Sequence, residues 1–349
     1  MSKLKQNLYE FLSKANIFGF GYYFFNKLHP RKITKAVIDI SSTCNAKCPY
    51  CPRYQEGFTF ENNGFMSEEI FDTIYSQLEK LPYLKNISLY AFGEPLLNKH
   101  AGEYIKKFAK LNKKILLSTN TTNMDKFTEE LMLIDRLQFS IEGWDKESYE
   151  RTRKNLKFEE TIEKLKNFND AVLKRRAEGL KTPFRTIHCL FTKSTDLHKF
   201  IETWSPYVDE IRFTTMGPYV SWSEDKKSTK LYYTKEMEQD CFKFDNHAKM
   251  QSCGYVNHTI TVNANGKVVL CCTDFSQHLE LGDYKDLNKA FNCKFLKELA
   301  ENIYYGKTNI CAGCRNYYSC DSDEVYEHFS ELKNLESLST EQCKIIVKI

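Results

Sequence analysis

The chain of 349 residues lacks any apolar run long enough to span a bilayer. Its first residues, MSKLKQNLYEFLSKANIFGFGYYFFNKLHPRK, lack a hydrophobic stretch followed by a small-residue cleavage site. The expectation is a cytoplasmic protein, neither secreted nor membrane-spanning. Net charge is also small: 50 Lys and Arg stand against 46 Asp and Glu, a formal +4. Bulk charge gives no support to nucleic-acid binding and no basic domain is appended, so no nucleic-acid partner is expected. Internal repeats and low-complexity tracts are missing, which sets repeat architectures aside. What remains is an ordinary globular composition, 42% hydrophobic and 28% charged, with length for one large core and a smaller domain.

Cysteine is in excess, with thirteen residues. In a reducing compartment spaced cysteines read as metal ligands before they read as disulfides. Three of them, Cys44, Cys48 and Cys51, lie within the stretch SSTCNAKCPYCPRY. A closed structural zinc site would want a fourth ligand nearby. Three thiolates on one iron–sulfur cluster instead leave one iron open, and an open coordination position marks chemistry.

Residues 1–35 have an amphipathic helical pattern, with Leu4, Leu8, Phe11 and Leu12 on one face, followed by the aromatic run FGFGYYFF. A membrane-surface anchor is one reading. A helix packing over the end of the main domain is the other, and the helix-breaking glycines favour it. From residue 36 a rhythm begins. Short β-type runs at 36–41, 86–92, 114–119, 136–141, 184–191 and 210–216 alternate with segments of helical period. Six such units predict parallel strands with right-handed crossovers, too few for a closed eight-stranded barrel. The expectation is an α/β fold: a partial (β/α)6 barrel over 36–216. A polar, turn-rich linker over 217–245 and a small β-hairpin and helix domain over 246–349 follow. In the last, Asn-Gly within HTITVNANGKVVLCCTD signals a hairpin turning at Gly266, and LNKAFNCKFLKELAENI reads as a helix.

The cysteine triplet follows the first strand, at the end where α/β folds bind ligands. Its C-x3-C-x2-C spacing resembles the radical S-adenosylmethionine (SAM) superfamily. Further marks follow on successive strand ends. AFGEPLL resembles the family's G-G-E-P loop, with Phe92 in place of the first glycine and Gly93, Glu94 and Pro95 kept. STNTT resembles a T-N-G turn with Thr121 in place of glycine. SIEGWDKESYERTR resembles S-x-D-G with a downstream Tyr and Arg, Glu142 replacing the aspartate.

The resemblance, over residues 36–216, implies a [4Fe–4S] cluster on Cys44, Cys48 and Cys51 whose open iron chelates SAM. An electron from the cluster then cleaves SAM to a 5′-deoxyadenosyl radical that abstracts hydrogen from substrate. It implies Tyr50 near the adenine and Gly93, Glu94, Pro95, Ser118, Asn120, Ser140, Glu142 and Arg153 as SAM contacts. A helix cap for Ser140 and a surface charge for Arg153 are the plain alternatives.

The later cysteines resemble the SPASM/twitch domain, an auxiliary iron–sulfur module found behind such barrels. The twitch reading places one [4Fe–4S] cluster on Cys253, Cys271, Cys311 and Cys314. The fuller SPASM reading adds Cys320 and Cys343 for an outer cluster, but Glu324 stands where another cysteine is expected. One auxiliary cluster is preferred, and a zinc ribbon is disfavoured because this tail has only one C-x2-C pair, plus irregular single cysteines. Cys272 is expected on the face opposite Cys271 as a buried small hydrophobe, like Cys189, Cys241 and Cys293.

The implied function is SAM-dependent oxidation of a small molecule or sugar with help from the auxiliary cluster, fed by a flavodoxin- or ferredoxin-type donor. A sulfatase- or peptide-maturase-like activity on a peptide substrate is the alternative, and a non-catalytic metal-binding protein is a third class. His188, Arg212 and Thr214 on the last two barrel strands are candidates for proton handling, with ordinary packing preferred. Tyr219 and Trp222 are candidate pocket walls.

Overall fold

The computed structural model describes residues 31–55, 58, 60, 63–216, 219–222, 229–232, 239–242, 244–245, 253–304, 319–320, 332, 338–341 and 344–349. Most of the expected N-terminal helix lies outside them.

The alternation expected from the sequence is present. Strands β1 (Lys35–Ile38), β2 (Asn86–Leu89), β3 (Lys114–Thr119), β4 (Arg136–Ser140), β5 (Phe184–Phe191) and β6 (Glu210–Thr215) pair in chain order. All five pairings are parallel. Between them run helices α1 (Glu68–Glu79), α2 (Ala101–Ala109), α3 (Thr128–Leu131), α4 (Lys146–Thr152), α5 (Phe158–Ala177) and α6 (Leu197–Trp204). Local chemistry starts them. The Ser67 hydroxyl accepts from the Ile70 N–H at the head of α1, and Glu68 and Glu69 fill its first turn, where the helix dipole favours acids. Asp145 and Ser148 form a reciprocal capping box on α4.

Burial alternates along β3 and β4 and along β6 from Ile211. Ile87, Leu117, Leu137, Ile187 and Phe213 are fully buried and share one core with the helix residues Phe71, Phe108 and Trp204. The opposite side chains, Ser118, Gln138, Ser140, His188, Arg212 and Thr214, stay partly exposed although they stand mid-sheet. Barrel interiors of this architecture are normally filled with branched apolar residues. Here the inner face is polar and open, a lumen where most closed barrels have packing.

Beyond β6 the chain departs from the expected linker. Residues 217–245 hold an antiparallel hairpin of β7 (Tyr219–Trp222) and β8 (Thr229–Tyr232), then β9 (Phe244–Asp245). A polar, turn-rich composition suits hairpins as well as linkers, and nothing in the sequence separated them. The expected hairpin is found after α7 (Gly254–His258). It comprises β10 (Thr259–Val262) and β11 (Lys267–Val269), with Gly266 at φ +81° in its turn. Strand β12 (Glu280–Asp283) extends it. The helix read over 287–303 is broken into α8 (Leu287–Phe291) and α9 (Lys294–Tyr304). At the break the Asn292 side chain donates to the Asn288 carbonyl and ends α8.

The two modules share one sheet. β10 pairs parallel with β1, while the C-terminal β15 (Lys344–Lys348), after β13 (Ser319–Cys320) and β14 (Leu338–Glu341), pairs antiparallel with β6. Eleven strands result, in the order β12-β11-β10-β1-β2-β3-β4-β5-β6-β15-β14. Arg31 adds a side-chain tie, donating to the carbonyls of Val256, Phe291 and Leu296.

At the strand-start end, Asp209 fastens α5 to β5 and β6. It accepts two hydrogen bonds from Arg176 (2.8 and 2.9 Å) and two from Arg185 (2.9 and 3.1 Å). Burial pushes its carboxyl up, but the two arginines outweigh burial and hold it well below the usual carboxylate range. Asp209→Asn leaves the buried Arg185 without its counter-charge and is expected to cost about 3 kcal/mol at pH 7 by urea denaturation. Because the folded carboxyl is the stronger acid, that difference is full above about pH 4 and shrinks as pH falls further. A difference that is constant from pH 7 to pH 2 contradicts the assignment.

Candidate active site

The strand ends converge on the loop that follows β1. Asp39 there is buried, accepts from the Ser42 hydroxyl and, at 3.2 Å, from the Phe92 N–H. Burial raises its carboxyl to about 6 despite those bonds. The loop is then stitched to the loop after β2. The Glu94 N–H donates to the Thr43 carbonyl at 2.8 Å, and Asn98 donates to the Ile40 carbonyl at 2.7 Å. Arg53 donates to the carbonyls of Ser42 and Phe92. Gly93 is what allows this approach: a Cβ there would stand 2.3 Å from the Ser41 carbonyl oxygen and 2.5 Å from that of Thr43. The sequence reading missed Asp39, Arg53 and Asn98, whose only signal is their place beside the motifs.

Cys44, Cys48 and Cys51 all lie in this loop, half-buried or buried. Burial pushes the Cys44 thiol up to about 11 and Cys51 to about 12, with Glu94 adding to the first and Cys48 to the second. Burial also raises Cys48, against the pull of Arg153. Left alone, these thiols keep their protons at neutral pH. A thiophilic metal displaces such protons, and a set of three soft donors suits iron or an iron–sulfur centre. The donor chemistry therefore fits the cluster that the sequence implies.

The other expected residues gather round the thiols. Asn120, after β3, points its amide nitrogen at the Cys44 sulfur at 3.8 Å and at Asn45 Oδ1 at 3.2 Å. Glu94 fixes that turn, accepting from the Thr119 hydroxyl at 2.7 Å and from the Asn120 N–H at 2.6 Å. Its carboxyl is raised by burial to about 7, the three hydrogen bonds it accepts opposing. Thr121 sits at φ +74°, the left-handed region, which explains why glycine is expected there. Pro95 opens a 3-10 turn behind Glu94.

Arg153 is no surface charge. It is buried, forms a two-point ion pair with Glu142, and reaches the Cys48 sulfur at 3.5 Å. Its guanidinium carbon lies 5.6 Å from the centre of the Tyr50 ring. Ser140 is no helix cap either: its hydroxyl meets that of Ser118 at 3.2 Å across β3 and β4, inside the lumen. Phe92, the departure from the expected glycine, packs with Val269 and Phe275 of the C-terminal module and with Cys51. The larger side chain thus bridges the modules at the cysteine loop.

A cavity of about 390 Å³ opens at the ends of β4–β6, walled by Tyr50, Glu142, Trp144, Leu190, Thr192 and Met216. Deeper in the lumen the His188 ring bonds the Thr214 hydroxyl at 2.9 Å. Arg212 and Arg136 both donate to Glu210 Oε1.

Of the later cysteines, Cys253 precedes α7 and Cys271 follows β11, where its thiol meets the Thr273 hydroxyl at 3.0 Å. Cys272 is half-buried and its thiol donates to the Tyr255 hydroxyl at 3.0 Å, so it is not the buried hydrophobe expected. Cys189 and Cys241 are buried as expected, and Cys293 is half-buried. Cys311, Cys314, Glu324 and Cys343 lie outside the described residues. The side chains of Cys320, Tyr219 and Trp222 do too.

The Glu142–Arg153 pair yields a test. Arg153→Met strands a buried carboxylate and is expected to destabilise the fold by about 3–5 kcal/mol in chemical denaturation. Adding Glu142→Leu is expected to return most of that loss. Equal losses in the single and double variants contradict a matched buried pair.

Comparison with known proteins agrees with this geometry. A radical SAM superfamily model matches residues 38–180, and a model described as an iron–sulfur cluster-binding domain, SPASM, matches residues 253–315. A probable GTP 3′,8-cyclase of Methanococcus aeolicus is 32% identical over 131 residues, 36% of this chain and 42% of that protein. The S-adenosyl-L-methionine-dependent 2-deoxy-scyllo-inosamine dehydrogenase of Niallia circulans is 31% identical over 68 residues, 20% of this chain and 26% of that protein. The chain spans about half the length of the curated relatives it matches. Among solved structures, BtrN in complex with AdoMet and 2-DOIA superposes with a TM-score of 0.52 at 17% identity, over 82% of this chain and 95% of that one. At that identity the likeness is one of fold. With both matches in the order the cysteines required, the chain belongs to the radical SAM superfamily and carries a C-terminal SPASM domain.

Proposed function

We propose that the chain is a radical SAM oxidoreductase acting on a small polar molecule in the barrel lumen. Cys44, Cys48 and Cys51 would hold a [4Fe–4S] cluster that, with SAM and one electron from an external donor, would supply the means to take one hydrogen atom from the substrate. Cys253, Cys271, Cys311 and Cys314 would hold an auxiliary cluster, which would supply an acceptor for the substrate's second electron as one proton leaves. The observation that carries this reading is the loop of three buried or half-buried thiols, two of them met by Asn120 and Arg153, beside an open polar lumen.

The chain's own groups have distinct tasks. The Asn120 amide and the Arg153 guanidinium face the Cys44 and Cys48 sulfurs, where they lower the cost of thiolate charge in a buried site. Glu142 keeps Arg153 aimed, and Glu94 keeps the Asn120 turn closed. Tyr50 and Leu190 wall the cavity beside the cysteine loop, a place suited to the adenosine part of SAM. Gly93, Pro95, Ser118 and Ser140 complete the SAM contacts along the strand ends. Oxidation, and not another fate of the radical, is supported by the local similarity to the dehydrogenase of Niallia circulans.

The test is iron content and SAM turnover of anaerobically reconstituted protein under dithionite. Wild type is expected to hold about eight irons and to form 5′-deoxyadenosine. The Cys44→Ala, Cys48→Ala, Cys51→Ala variant is expected to hold about four and to form none. Zinc in place of iron, or iron unchanged by the triple substitution, overturns the assignment.

A further inference from the structure

The inner face of the barrel identifies its guest more closely than the cysteines do. Register places Ser140, His188 and Arg212 side by side across β4, β5 and β6, with Gln138 and Thr214 on adjoining rungs. Ser118, Gln138 and Ser140 form one hydrogen-bonded group, Gln138 donating to Ser118 at 3.1 Å. His188 and Thr214 form another. These groups donate and accept, and they retain solvent access in the middle of a sheet whose outer face is sealed. Such a surface suits a hydroxylated molecule and disfavours an apolar one.

Charge narrows the class. At the lumen floor two guanidinium groups, Arg136 and Arg212, share one carboxylate, Glu210, through the same oxygen. Arg136 is further held by the Thr186 hydroxyl at 2.6 Å and stacks on the Phe184 ring. Arg212 spends its Nε on Glu210 and keeps 37% of its side chain exposed, at the rung of β6 that pairs with His188. The carboxylates at the mouth do not offset this charge. Asp39 and Glu94 are buried and bonded to loop N–H groups, Glu142 is neutralised by Arg153, and Asp240 accepts from Ser194 on a cavity wall that also carries Arg151 and Lys154. One positive charge therefore remains at the floor, beside a row of hydroxyl and amide groups. A planar guanidinium with two nitrogens to offer matches a phosphate or a carboxylate.

We propose that the substrate is a small hydroxylated molecule bearing a phosphate or carboxylate, with Arg212 taking the anion and Gln138, His188 and Thr214 its hydroxyl groups. This rests on the function proposed above, deepening it to a substrate class, and it opposes an amine-bearing guest, which Arg212 would repel.

The test is titration calorimetry on the SAM-loaded holoenzyme with four probes of one ring shape: glucose 6-phosphate, glucuronate, glucose and glucosamine. The anionic probes are expected to bind at least about tenfold more tightly than glucose, and glucosamine most weakly. The better of the two anions tells phosphate from carboxylate. Arg212→Gln is expected to erase the preference for the anion and Arg212→Lys to restore part of it, with circular dichroism checking that both fold. Equal binding of charged and neutral probes by wild type overturns the proposal, as does no binding of any, and neither result needs a variant. Anion-selective binding by protein that cleaves no SAM sinks the catalytic reading and leaves this one standing.

Discussion

The close approach of the loop after β2 to the loop after β1 is the constraint on which the site depends. Neither loop has regular structure of its own for most of its length. What fixes the cysteine loop is a set of backbone contacts at Ser41, Ser42 and Thr43, made possible because Gly93 has no side chain. Arg53 and Asn98 then add side-chain bonds to the same carbonyls' neighbours. A thiol loop that must hold three sulfurs toward one point cannot rely on a flexible chain, since each free residue would cost about 1–2 kcal/mol to order on binding. Here most of that ordering is done by the fold before any metal arrives.

Electrostatics and packing reinforce one another around this loop. Burial keeps the thiols protonated in isolation, and a metal reverses that by replacing protons with a stronger positive charge. Arg153, tied to Glu142, stands beside Cys48 without leaving an uncompensated charge in the core. The polar lumen below would be expensive if it were dry, because unpaired hydroxyl and amide groups in an apolar interior cost free energy. It is tolerable because its members bond in small groups and stay accessible to water or to a guest.

Much of this was legible in the sequence. The six strands follow from short runs rich in β-branched and aromatic residues set between helical segments, and the cysteine loop from spacing alone. Positions such as Gly93 and Glu94 follow from their motif. What the sequence hid has identifiable causes. The hairpin inside 217–245 is composed of residues that serve turns and linkers equally. The break at Asn292 depends on one side chain bonding its own helix. Arg153 looks like a surface charge because nothing local reveals Glu142 as its partner across the α4 turn. The polarity of the lumen was present in β4, β5 and β6 as alternate residues, yet only the register across them shows one surface.

The shared sheet has a consequence for how the chain comes together in time. Strand β1, which carries the cysteine loop, finds one neighbour in β2, but its other neighbour, β10, is more than two hundred residues further along. Strand β6 waits similarly for β15 at the end of the chain. During synthesis the first six strands thus emerge with two bare, apolar edges, each a template for pairing with another chain. The C-terminal module closes both, and it ends the sheet in short strands, one of them ELGD, that offer little to a stranger. Nascent protein that stalls before residue 259 would leave its cysteine loop beside an open edge, which makes the last quarter of the chain a guard on the first.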